Sequence, residues 1–126
     1  MKTVINTNNA PAPIGPYSQA IAAGNFVFVS GQIALHPHSG QLVTDNIEAE
    51  TVLVMQNIES ILKEAGLTFG NIVKTSIFLK DMQDFAKVNE VYGKYFKDQF
   101  PARETIQVAG LPKNVNVEIS VIAAKS

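Results

Sequence analysis

The clearest signal along the chain is an apolar stripe at helical spacing. Ile47, Thr51, Val54, Met55, Ile58, Ile61, Leu62 and Ala65 recur every three or four residues and predict an amphipathic helix over residues 47–65. Asp45 with Glu48 three residues on resembles a capping box, and Gly66 is a natural stop. A second stripe, Phe85, Val88, Val91, Tyr92, Tyr95 and Phe96, predicts a helix over residues 82–98, with Asn89 on the side away from Phe85 and Tyr92. The rest reads as strands and turns. Residues 3–5, 18–22, 25–33, 71–80, 104–109 and 115–123 have strand composition. Pro11, Pro13 and Pro16 forbid helix between the first two of these. Turns fall at Gly24-Asn25, His36–Gly40 and Gly110–Asn114.

This order predicts one α+β domain over residues 1–126, a mixed six-stranded sheet with two helices on one face. The strand at 25–33 carries Phe26 and Phe28 on one side and Val27 and Val29 on the other. Both sides cannot meet the same two helices, so the second apolar face predicts contact with another copy. A hairpin across Gly110–Asn114 would place Glu118 beside Gln107, about 13 Å along the strand from Arg103 at ~3.3 Å per residue.

Composition narrows the class. Of the 126 residues 46% are apolar and 17% charged, an ordinary globular balance. A net charge of −1 gives no basic footprint for nucleic acid. The absence of cysteine excludes thiol catalysis and disulfides. Neither a secretory leader nor an apolar run of membrane-spanning length is visible, so a soluble cytoplasmic protein without membrane contact is expected.

Two residues stand out chemically. Arg103, at the start of a strand in Pro101-Ala102-Arg103, offers a rigid donor fork that matches a carboxylate. By residue type it fits a surface ion pair equally well. Glu118, between Val117 and Ile119, is a carboxylate on an otherwise apolar strand and must be hydrated, partnered or used. Tyr17 sits in a proline-stiffened loop as either a core anchor or a ligand contact. Gly31, in Ser30-Gly31-Gln32, fits a close approach or a simple bulge. His36 and His38 share one turn with no third ligand, so no metal site is expected.

Several segments together resemble one family. Ile14-Gly15-Pro16-Tyr17-Ser18-Gln19-Ala20, Val29-Ser30-Gly31-Gln32-Ile33, Asp84–Asn89, Pro101-Ala102-Arg103, Leu111–Val115 and Val117-Glu118-Ile119 are similar, in order and spacing, to the Rid/YjgF family and its 2-iminobutanoate/2-iminopropanoate deaminases. The likeness runs from about Ile5 to Ala123. It implies a chorismate-mutase-like fold, a homotrimer with clefts between subunits, no cofactor, and hydrolysis of small imino or enamino acids to keto acids and ammonia. It further implies that Arg103 holds the substrate carboxylate and that Glu118 and the Thr105 carbonyl position water. Tyr17, Ser30, Gly31 and Asn89 would line the cleft. Thr105, Glu104, Gly110 and Ser120 depart from residues common in the family. The alternative function is a non-catalytic regulatory module that binds a small carboxylate in the same cleft.

Overall fold

Helix α1 (Ile47–Glu64) forms where the apolar stripe predicts it, in a computed structural model that describes residues 1–126. Its cap is Asn46 rather than Asp45: the Asn46 side chain accepts from the Ala49 amide at 2.7 Å. Gly66, at φ +77°, ends it in a Schellman motif, with Gly66 N–H donating to Lys63 O and Leu67 N–H to Leu62 O.

Six strands build one sheet. They are β1 (Lys2–Ile5), β2 (Ala20–Ala23), β3 (Phe26–Gln32), β4 (Ile72–Leu79), β5 (Ala102–Gln107) and β6 (Val117–Ala124), in the spatial order β1-β2-β3-β6-β4-β5. Each lies within a few residues of its predicted range. Helix α2 is shorter than its stripe suggests. A 3-10 turn over Met82–Asp84 leads into α2 (Phe85–Gly93), and Tyr95 and Phe96 then close 3-10-type turns onto Tyr92 and Gly93. Gly93 favours the break. The released aromatics pack on one another instead, Phe69 to Tyr95 at 5.0 Å and Tyr92 to Phe96 at 4.9 Å between centroids.

The predicted β5–β6 hairpin does not form. Helix α2 is a crossover connection, so β5 pairs parallel with β4, and β6 inserts antiparallel between β3 and β4. Glu118 therefore stands opposite Phe78 rather than Gln107, and Arg103 opposite Thr75.

Both helices cover one face. Met55, Ile58, Ile61 and Leu62 of α1 and Val88 and Tyr92 of α2 pack with Val27, Ile77, Leu79, Val117 and Ile119 in a single core. Each large aliphatic side chain buried there stabilises by roughly 1.5–3 kcal/mol. Glu50 is the exception in the stripe. Fully buried, its carboxylate accepts from the Asn116 amide at 2.7 Å, the Asn116 side chain at 2.8 Å and the Val117 amide at 3.2 Å, tying α1 to the start of β6.

The other face carries a row of apolar residues in register across four strands, Val4, Ile21, Phe28 and Ile122. Val4 is 59% and Phe28 45% exposed, and Phe26 beside it is 45% exposed. No helix is long and apolar enough to cross a membrane.

Candidate functional site

The residues singled out from the sequence fall into two groups, and the sheet separates them. Thr75, in register with Arg103, is fully buried toward the helices, so Arg103 lies on the helix-covered face at the sheet edge. Val117 and Ile119 are fully buried on that face, so Glu118 between them points to the other. Within one chain these two groups cannot reach a common ligand.

The first group surrounds Arg103. Its guanidinium carbon lies 5.2 Å from the centroid of Tyr92 and 5.8 Å from that of Phe85. With Asn89, Tyr92, Phe100 and Pro101 it lines an open cavity of about 380 Å³. Asn89 is thus not on the far side of α2. A spacing of three sets it directly beside Tyr92.

The second group surrounds Glu118. It shares a cavity of about 330 Å³ with Ile14, Tyr17, Ser30, Gly31 and Ile33. Ser30 and Gly31 together face the single residue Ser120, because pairing steps from Val29↔Val121 to Gln32↔Ile119. This β-bulge re-aims the strand at the cavity. Gly31 is needed there for space: an added β-carbon would lie 2.0 Å from Glu118 Oε2. Bulge and close approach are both realised at the same residue. Ser30 Oγ donates to the Ser18 carbonyl at 2.6 Å, which ties the bulge to the strand's neighbouring loop where Ser30 lines the cavity. Tyr17 Oη accepts from the Ile14 amide at 3.2 Å and closes the proline-rich loop on itself. Gln19, which the sequence reading did not single out, anchors that loop: its side chain binds the Thr7 amide and the carbonyls of Thr7, Ala10 and Pro11.

Burial pushes the Glu118 carboxyl above the ordinary glutamate range. A carboxyl raised in this way keeps its proton to higher pH than a solvated one, which suits it to taking and returning a proton. Glu104 goes the opposite way, its carboxyl held low by the Ser76 hydroxyl and by Lys74, whose Nζ lies 2.9 Å away. It points away from Arg103, as strand alternation predicts.

Thr105 lines neither cavity. Its hydroxyl is buried without a partner. The Val108 amide donates to Leu79 O, so by alternation the N–H and C=O groups of Arg103, Thr105 and Gln107 face outward along the free edge of β5.

A family model described as Endoribonuclease L-PSP matches residues 7–125. The chain belongs to this family. It is the Rid/YjgF family that its motifs resemble. Among its relatives, a RutC family protein of Pyrococcus horikoshii is 52% identical over 125 residues, 99% of either chain. The 2-iminobutanoate/2-iminopropanoate deaminase of Mus musculus is 47% identical over 99% of this chain and 93% of its own. The crystal structure of E. coli TdcF with bound serine has a TM-score of 0.94 at 40% identity, covering 98% of this chain and 99% of that one. L-PSP family membership, a single α+β domain and relatives named as deaminases are therefore established for this sequence.

Proposed function

We propose that the chain assembles as a homotrimer in which the Arg103 cavity of one copy closes against the Glu118 cavity of the next, and that the joint site hydrolyses 2-imino acids such as 2-iminobutanoate and 2-iminopropanoate. The observation that carries this reading is the placement of Arg103 and Glu118 on opposite faces of one sheet, each in its own open cavity. The row Val4, Ile21, Phe28 and Ile122, exposed at Val4 and Phe28 and half-buried at the two isoleucines, supplies an apolar surface beside the Glu118 cavity for a second copy to cover.

Arg103 would hold the substrate carboxylate in two parallel hydrogen bonds. Glu118, with the outward carbonyl of Thr105, would orient water over the imine carbon. The water oxygen bonds to that carbon while Glu118 takes its proton. Glu118 then returns the proton to the nitrogen of the carbinolamine, the carbon–nitrogen bond breaks, and the hydroxyl gives its own proton to Glu118 as the carbonyl forms, leaving a keto acid and ammonia. An iminium is electrophilic already, so orientation and proton handling supply the catalysis. The serine bound to the E. coli relative carries a carboxylate of the kind that Arg103 would hold. A net charge of −1 gives little support to the RNA cleavage in the family's description.

The test generates 2-iminobutanoate with a threonine dehydratase, traps it with semicarbazide, and follows keto-acid release. The protein should accelerate release and Arg103→Ala should abolish the acceleration with the oligomer intact. Binding of 2-ketobutyrate by wild type without any acceleration would instead support a regulatory module. Full rate in Arg103→Ala would overturn the site.

A further inference from the structure

The Arg103 guanidinium is not held by an acid. Its one ion-pairing neighbour in sequence, Glu104, faces the other way and is engaged by Lys74 and Ser76. What meets Arg103 is two rings: Phe85, 39% exposed, with its centroid 5.8 Å from the guanidinium carbon, and Tyr92, nearer at 5.2 Å and only 4% exposed, which is the ring the fold holds in place. That ring is fixed at both ends. Its hydroxyl donates to Thr75 Oγ1 at 2.9 Å, and Thr75 is the register partner of Arg103 on the adjacent strand. Phe96 backs the ring at 4.9 Å, with Phe69 6.0 Å behind Phe96. Burial and the resulting desolvation keep the phenol in its neutral form.

We propose that Tyr92 is a positioning residue that holds the Arg103 guanidinium by its ring face, leaving the arginine's donors free for the carboxylate of an incoming acid. An acidic partner would consume those donors and compete with the ligand; a ring face fixes the cation without doing so. The Thr75 bond sets where the ring sits. The aromatic stack behind it prevents retreat. This inference rests on the proposed function for its ligand, but the clamp itself is a property of the free protein.

The experiment separates the two. Arg103 is the only arginine in the chain, so its Nε–H gives a single guanidinium resonance. Nitrogen relaxation at that position should report an ordered side chain in wild type, and Tyr92→Phe, which keeps the ring and its packing but loses the Thr75 bond, is the reference against which the series is read. A graded series placing 4-fluoro-, 3,5-difluoro- and 3,4,5-trifluorophenylalanine at position 92 withdraws charge from the ring face at nearly constant size. Arg103 should grow more mobile along the series. The dissociation constant for 2-ketobutyrate should rise stepwise to about three- to tenfold at the trifluoro ring, with kcat for imine hydrolysis unchanged within about twofold. A substitution that only loosened packing would not follow the fluorine count. Equal order and equal affinity along the series would overturn the clamp, as would a mobile Arg103 in wild type. Failure of wild type to bind 2-ketobutyrate would sink the proposed function, while the relaxation series would still decide the clamp.

Discussion

Gly31 and Glu118 touch across the β3–β6 bulge so closely that only a hydrogen fits where a β-carbon would stand. The backbone at Gly31 does not require glycine; the neighbouring carboxylate does. Gly31→Ala should therefore swing the Glu118 side chain out of its cavity, since the flexible carboxylate yields before the sheet does. The expected outcome is a fall in kcat of about tenfold or more with thermal unfolding shifted by only a few degrees. Parallel activity assays and calorimetry check it. A large loss of stability at unchanged activity would count against the assignment.

Glu118 should cost stability where it helps chemistry. Its folded carboxyl titrates above the ordinary glutamate value, so as pH rises from that value through the raised one, the folded state holds its proton longer than the unfolded chain. Stability falls across this window and is fully retained below it. Glu118→Gln should then be as stable as wild type at pH 4, more stable at pH 7, and devoid of hydrolysis. Urea titrations at the two pH values test this. In wild type, kcat should rise with pH along a limb displaced upward from a free carboxylate.

The buried carboxylate of Glu50 carries a different load. It satisfies three N–H groups at the start of β6, two residues before Glu118. Glu50→Ala would leave the buried Val117 amide and the half-buried Asn116 groups without this acceptor and should destabilise by about 3 kcal/mol. Glu50→Gln, which keeps one oxygen, should lose less. Chemical denaturation distinguishes the two.

The apolar row on the open face predicts what separates the copies. Phe28→Arg places a charge in the middle of Val4, Ile21 and Ile122 and should yield a folded single chain of 13.6 kDa in place of a species three times heavier. Light scattering measures the masses. On the proposed reading hydrolysis should disappear with the assembly, because each copy would then keep only half of the joint site. A monomeric wild type would remove the basis for that site.

Much of the fold was legible because local periodicity decides it. The α1 stripe, the Gly66 stop and the strands appear where apolar spacing puts them, and alternation correctly sends Arg103 and Glu104 to opposite sides. The misreadings come from choices that no window of neighbours records. The turn at Gly110–Asn114 is a sound hairpin signal, yet β6 pairs with β3 and β4 because the α2 crossover has already committed β5 to β4. Glu50 did leave a trace: it stands three residues after Ile47 and four before Val54, inside the apolar stripe. A polar residue at such a position predicts a buried partner, which the stripe alone does not name. For the site, residue chemistry singles out Arg103 and Glu118, and the motif resemblance gives them roles. That they lie on opposite faces follows only from the strand order and register.

The outward-facing edge of β5 has one more consequence. On the proposed reading the group at position 105 that meets water is the peptide oxygen, which all twenty amino acids possess. Threonine, serine or cysteine could drift through that position without touching the chemistry, and a survey based on side-chain identity would pass over it. What selection has to preserve there is the geometry of the main chain.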